Sequence, residues 1–178
     1  GATPQFIMDT RNHMPLSVKE AFKDKNILAI GATGFLGKVW LAQLLSQIQT
    51  FQKVYVLIRG KGTLTGKARF EQFINNSYVF QTLHENLNGT LQSTLKEKIE
   101  VVEGDVNEEN LGMSDYWAKQ LASKIDVVVN FAGLVDFNPD LRDAFDVNVK
   151  GAMNVAAFAS KCRQKKLVHT STCYVAGI

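Results

Sequence analysis

Residues 31 to 37 read GATGFLG, three glycines spaced by three, between the apolar run NILAI and the helix-like run KVWLAQLLSQI. A turn of this kind between a strand and a helix offers phosphate unpaired backbone N–H groups and the positive end of a helix dipole. Gly31 would let the chain turn sharply out of the strand, Gly34 would let backbone approach a pyrophosphate, and Gly37 would let the helix pack closely. The alternative is a turn whose glycines serve geometry alone. A strand before, a helix after and a second strand on schedule favour the dinucleotide cradle. The spacing is one residue longer at its first interval than GxGxxG, and the GKS or GKT of a P-loop does not follow.

Other residues at strand ends point to the same chemistry. LIRGKG places Arg59 about 20 residues beyond the last glycine, where an NAD site would carry an acidic residue for the ribose 2′-hydroxyl. A guanidinium there matches the geometry of a 2′-phosphate and favours NADP, the alternative being an arginine that solvates a strand end. GDV, with Asp105 and Val106, ends a third strand, where a carboxylate can accept from the adenine amino group. NFAG, Asn130 to Gly133, ends a fourth, where small residues leave a path for the cofactor. Ligands of open parallel sheets lie beyond the carboxyl ends of the strands, so the shared edge gives these separate signals weight.

The elements that must position these residues follow from apolar patterning. NILAIG reads as a strand buried on both faces and KVYVLIRG as a second buried strand, with KIEVVEGDV, DVVVNFAG and KLVHTST as the third, fourth and fifth. Phe35, Leu36, Val39, Trp40, Leu44, Leu45 and Ile48 recur at threes and fours and predict one buried helix face. The stretch from Gly62 to Lys98 predicts inserted helices, with Phe70, Phe73, Tyr78 and Phe80 as their core and a loop over 88–94. NLGMSDYWAKQLAS predicts a short helix, and PDLRDAFDVNVKGAMNVAAFASKC a long one with Pro139 in its first turn. Alternating strands and helices predict an α/β Rossmann-type, doubly wound parallel sheet of order 3-2-1-4-5. Residues 1–23 read as an irregular lead-in with a short helix near LSVKEAF, and 24–178 as one domain.

Bulk composition narrows the function classes. A chain of 178 residues, 46% hydrophobic, can bury one sizeable core. Its 20 basic and 17 acidic residues are mixed, with no like-charge block of the kind that makes a nucleic-acid arm. No run approaches the roughly 18 apolar residues of a membrane span. His13, His84 and His169 are scattered, and Cys162 and Cys173 lack CxxC spacing. No metal site is expected, and a reducing, cytoplasmic setting is. His169 reads as a packed strand residue rather than a general base.

The stretches GATGFLG, VYVLIRGK, EVVEGDV, NFAGLVDF, DVNVKGAMNV and VHTSTCYVAG resemble the extended short-chain dehydrogenase/reductases. More narrowly, GATGFLGKVWLAQLL with VYVLIRGK, the helical insertion before KIEVVEGDV, and STCYVAG are similar to the fatty acyl-CoA reductases and the thioester-reductase domains of carboxylic acid reductases. The resemblance covers about residues 24 to 178 in order. It implies NADPH-dependent reduction of an acyl thioester, carried on CoA or a carrier protein, to an aldehyde and in some members onward to the alcohol. By position, Thr33, Gly34, Phe35 and Leu36 would cradle the pyrophosphate, and Arg59 and Arg69 would hold the 2′-phosphate. Asp105 with Val106 would flank the adenine, Ala132, Gly133 and Leu134 would line the cofactor path, and Asn148 would brace the site.

The family's catalytic set is a Ser or Thr at the end of strand five, then a Tyr and a Lys four residues apart. Thr172 matches the hydroxyl position, with Ser171 beside it. Tyr174 does not match the acid, because the required lysine would fall at Ile178. The chain is therefore expected to be the cofactor-binding part of a longer enzyme and not to turn over alone. Cys173 lacks a base and reads as packing rather than as a nucleophile for a thioester. Two further readings stand beside this one. A nucleotide-sugar epimerase or dehydratase of the same extended family would keep NAD, and a non-catalytic NADP sensor would never have had the Tyr–Lys pair.

Overall fold

The computed structural model describes residues 17–133 and 141–170, the side chains of 141–147 excepted. Leu134, Pro139, Ser171, Thr172, Cys173 and Tyr174 lie outside the described residues.

A short helix, α1 (Val18–Phe22), is capped by Ser17, whose hydroxyl accepts from the Glu20 N–H. Strand β1 (Asn26–Ile30), helix α2 (Phe35–Gln47) and strand β2 (Lys53–Ile58) then form the first β-α-β unit. Three inserted helices follow, α3 (Gly66–Asn76), α4 (Tyr78–Asn86) and α5 (Leu91–Lys98), before strand β3 (Ile99–Glu103). Helix α6 (Asp115–Lys124), strand β4 (Val127–Asn130), helix α7 (Leu141–Lys161) and strand β5 (Leu167–His169) complete the described chain. The strands form one parallel sheet in the order β3-β2-β1-β4-β5, as the patterning predicts.

Period-two alternation along the central strands feeds two cores. Ile27, Ala29, Val54, Val56 and Ile58 pack with Leu41, Leu44, Leu45, Phe70 and Phe80 on one face. Leu28, Ile30, Tyr55, Leu57 and Val102 pack with Leu121, Val155 and Phe158 on the other. Burying each such aliphatic or aromatic side chain stabilises the fold by about 1.5–3 kcal/mol. At the amino edge of the sheet, buried Asp126 accepts from the Asn26 N–H at 2.8 Å and pairs with Arg163 at 2.6 Å, tying β1, β4 and the end of α7 together. Its carboxylate is thus fully partnered, as a buried charge must be.

Several expectations need correction. The buried face of α2 is Gly37, Leu41, Ala42, Leu44 and Leu45, whereas Phe35, Leu36 and Val39 are exposed. At 100° per residue, positions 37, 41, 44 and 45 share a stripe that Phe35 and Leu36 do not. The expected loop over 88–94 ends at Thr90, because Leu91 and Leu95, one turn apart, bury themselves as the core of α5. The single helix expected over 110–123 is two pieces. A 3-10 turn over 109–112 holds Asn110 and Leu111 at positive φ, and Ser114 then caps α6 by accepting from the Trp117 N–H. Phe70 and Phe80 are core and Phe73 is half-buried, but Tyr78 at 81% exposure is not core. Among the described residues β5 has only β4 beside it and its three residues are exposed, so His169 is not the packed residue expected.

Cys162, just past the end of α7, is buried with its thiol against the Phe158 carbonyl, and burial pushes its pKa up to about 11. Little thiolate then exists near neutrality, and the thiolate is the nucleophile. Alkylation of the folded protein at about pH 8 is expected to leave Cys162 unmodified in peptide maps until urea is added. Modification at the rate of an ordinary free thiol would contradict this burial.

Candidate functional site: the carboxyl edge of the sheet

Parallel pairing brings the carboxyl ends of β1, β2, β3 and β4 to one edge. Ile30 stands level with Leu57 and with Asn130, and Ile58 stands level with Glu103. The three glycines, Arg59, Asp105 and the 131–133 segment therefore leave adjacent strands on the same side.

Gly31 leaves β1 with φ +74°, in the left-handed region, and a Cβ there would lie 2.6 Å from the Ala132 N. The turn thus presses directly against the chain leaving β4. Gly37 is bare for a different contact. A Cβ on it would meet the Gly31 carbonyl oxygen at 2.5 Å and the Ala32 Cα at 2.7 Å, so at this position the first turn of α2 packs on its own entry loop. Gly34, the N-cap of α2, meets only the Gly31 oxygen at 3.4 Å and is otherwise open. Thr33, Gly34, Phe35 and Leu36 are all exposed, Phe35 by 83% and Leu36 by 54%. The first N–H groups of a helix have no intrahelical partner, and a glycine N-cap brings no side chain to accept from them.

At the ends of β2 and β3, Arg59 and Asp105 form an ion pair at 3.6 Å, with the Arg59 side chain 68% exposed. Arg69, on α3, donates from Nη1 to the Arg59 carbonyl, so both arginines occupy one corner. Asp105 also accepts from the Asn107 N–H at 2.9 Å through its other oxygen. Val106 is half-buried, its carbonyl accepting from Asn154 Nδ2 at 2.8 Å, which fastens α7 to the loop after β3. Asn148 lies exposed on the same helix.

Beyond Ala132, which the Gly31 turn abuts, a Cβ on Gly133 would have nothing within 4 Å. Asn130, only 1% exposed, organises this exit. Its Oδ1 accepts from the Ala132 N–H at 2.9 Å, its Nδ2 meets His169 Nδ1 at 3.1 Å, and its carbonyl accepts from both the N–H and the hydroxyl of Thr170 at 3.0 Å. Sequence reasoning treated Asn130 as part of a small-residue exit and missed this role. The signal was an amide closing the otherwise apolar VVVN, since a buried polar side chain needs partners.

All the predicted cofactor contacts that fall on described residues therefore lie along one edge or on the helices bordering it. Leu134, Ser171 and Thr172 fall outside the described residues. Among the described residues no cluster of His, Cys, Asp and Glu could hold a metal ion, and no helix is long and apolar enough to cross a membrane.

Comparison with known proteins agrees with this fold. The sequence profile of the male sterility protein family, a set of NAD-binding domains, matches residues 30–178. The chain is 34% identical over 167 residues to the probable fatty acyl-CoA reductase 5 of Arabidopsis thaliana, covering 92% of this chain and 34% of that protein. It is 35% identical over 163 residues to the alcohol-forming fatty acyl-CoA reductase of Simmondsia chinensis, covering 90% of this chain and 33% of that protein. The chain thus spans about a third of the length of the curated relatives it matches. Among solved structures, it superposes with TM-score 0.63 and 26% identity on the terminal R domain of the myxalamid PKS-NRPS pathway, covering 85% of this chain and 35% of that one.

Proposed function

Because the chain belongs to the male sterility protein family of NAD-binding domains, we propose that it is the NADP(H)-binding portion of a reductase acting on fatty acyl-CoA or another acyl thioester. The observation that carries this reading is the convergence at one sheet edge of an open glycine turn and two arginines. Residues 24–178 form the cofactor-binding part, and the remaining catalytic and substrate-binding groups belong to a longer chain.

The residues present fit the group. A pyrophosphate finds the exposed Thr33 to Leu36 turn at the positive end of α2, with Gly34 open to its approach. Phe35 and Leu36, both exposed, add apolar contact. Arg59 and Arg69 hold the 2′-phosphate, while Asp105 and Val106 flank the adenine. The shared Arg59–Asp105 ion pair means that Arg59 releases part of its hold on the carboxylate when a phosphate arrives. An exposed pair of this kind is worth at most about 1 kcal/mol, so the exchange is easy. Ala132, Gly133 and Leu134 line the path towards the reacting end, and Asn148 braces it from α7.

When bound, the cofactor supplies a hydride. Thr172, with Ser171 beside it, orients the thioester carbonyl by donating a hydrogen bond. The products are NADP, an aldehyde and the free thiol; a second round on the aldehyde would give the alcohol. We place the reaction in the cytoplasm. The nucleotide-sugar reading is not favoured, because the relatives reported above are reductases and Arg59 stands where an NAD site would carry an acid.

The test is NADPH consumption by the full-length protein across a panel of fatty acyl-CoA, acyl-carrier thioester and nucleotide-sugar substrates. Oxidation of NADPH with release of free thiol on at least one thioester is expected. Turnover of nucleotide sugars alone would overturn the reading.

A further inference from the structure

We propose that Glu103 is a positioning residue for 2′-phosphate recognition. From the end of β3 it ties the loop after β2 to the first turn of α3, so that Arg59 and Arg69 stay gathered at one corner. The inference rests on the NADP reading above and concerns what holds Arg69 against the Arg59 carbonyl before any anion arrives.

Glu103 pairs in register with Ile58, the residue before Arg59. Its Oε1 accepts from the N–H of Gly66, the first residue of α3. A Cβ on Gly66 would lie 2.8 Å from Glu103 Cγ, and one on Gly60 would lie 3.3 Å from its Oε1. The side chain therefore runs between two glycines that leave it room. Thr65 caps the same turn by accepting from the Ala68 N–H at 3.1 Å, and Lys61 and Leu64 close the intervening loop with a pair of backbone bonds at 3.0 Å. About one turn further on, α3 delivers Arg69 to the Arg59 carbonyl. Glu103 thus fixes the helix that carries one arginine, and Asp105, two residues later, engages the other.

The placement has a second consequence. A carboxylate already occupies the positive end of α3, so a phosphate at this corner is left to the guanidinium groups. Glu103 also carries charge of the same sign as that phosphate. Removing the side chain and neutralising it should therefore have opposite effects.

Titration of the full-length protein with NADPH and NADH, for the wild type, Glu103→Ala and Glu103→Gln, tests this. NADH lacks the 2′-phosphate and reports whether the rest of the site is intact. Glu103→Ala is expected to lose about tenfold in NADPH affinity, about 1.4 kcal/mol, with NADH affinity unchanged. Glu103→Gln keeps an acceptor for the Gly66 N–H and is expected to bind NADPH at least as tightly as the wild type. An alanine variant that keeps or gains NADPH affinity, or loses both cofactors together, overturns the inference, as does a glutamine variant that behaves like alanine. A wild type without preference for NADPH overturns the NADP reading itself, and this inference with it.

Discussion

Gly31→Ala is expected to destabilise the protein by about 3 kcal/mol, read as a fall in the urea midpoint. Two costs add. The residue sits at φ +74°, where alanine is strained by about 1 kcal/mol. Its Cβ would then lie 2.6 Å from the Ala132 N and 2.8 Å from the Phe131 carbonyl carbon. Both are backbone atoms that cannot rotate away, and forcing atoms into packed space costs about 1–3 kcal/mol. Gly62 separates the two terms, since it has φ +60° but nothing within 4 Å of a built Cβ. Gly62→Ala should therefore show the conformational cost alone, about 1 kcal/mol. Equal midpoints for the two variants would show that the turn does not press on the end of β4 as described.

Arg59→Ala is expected to weaken NADPH binding by at least about tenfold while leaving NADH near its wild-type affinity. A hydrogen bond between charged groups contributes about 1.5–3 kcal/mol, and the exposed Arg59 guanidinium is free to turn towards a phosphate because its present partner holds it only at 3.6 Å. Arg59→Lys should recover part of the loss, since it restores charge without the fork. A uniform loss for both cofactors would assign Arg59 to the loop's structure rather than to the 2′-phosphate.

Much of this fold was legible in the sequence because central parallel strands are apolar on both faces. NILAI and KVYVLI announce themselves as uninterrupted runs, and their order follows from the alternation with helices. The first turn of α2 was not legible. Phe35 and Leu36 look like core to a periodicity argument, which cannot tell an apolar residue facing the sheet from one that is exposed. The two halves of the helix expected over 110–123 were hidden by Asn110 and Leu111, whose positive φ no pattern of hydrophobicity signals. The exposure of His169 was hidden for another reason: LVH has the composition of a buried strand, but burial depends on what lies beside it, and among the described residues only β4 does.

At the candidate site the structure adds what spacing alone does not carry. Gly37 yields space to the Gly31 carbonyl rather than to the sheet. Arg59 and Asp105, expected at the 2′-phosphate and the adenine, are paired with each other. Asn130 and Glu103 escaped notice because their importance lies in what they touch. One joins the exit from β4 to His169 and Thr170, and the other joins β3 to the entry of α3, and none of these contacts is local in sequence.

The most direct test is titration calorimetry of the full-length wild-type protein with NADPH and with NADH under one set of conditions. NADPH should bind at least about tenfold more tightly, the worth of one charge-assisted contact to the 2′-phosphate. Equal affinities, or a preference for NADH, would contradict the assignment of this sheet edge to NADP.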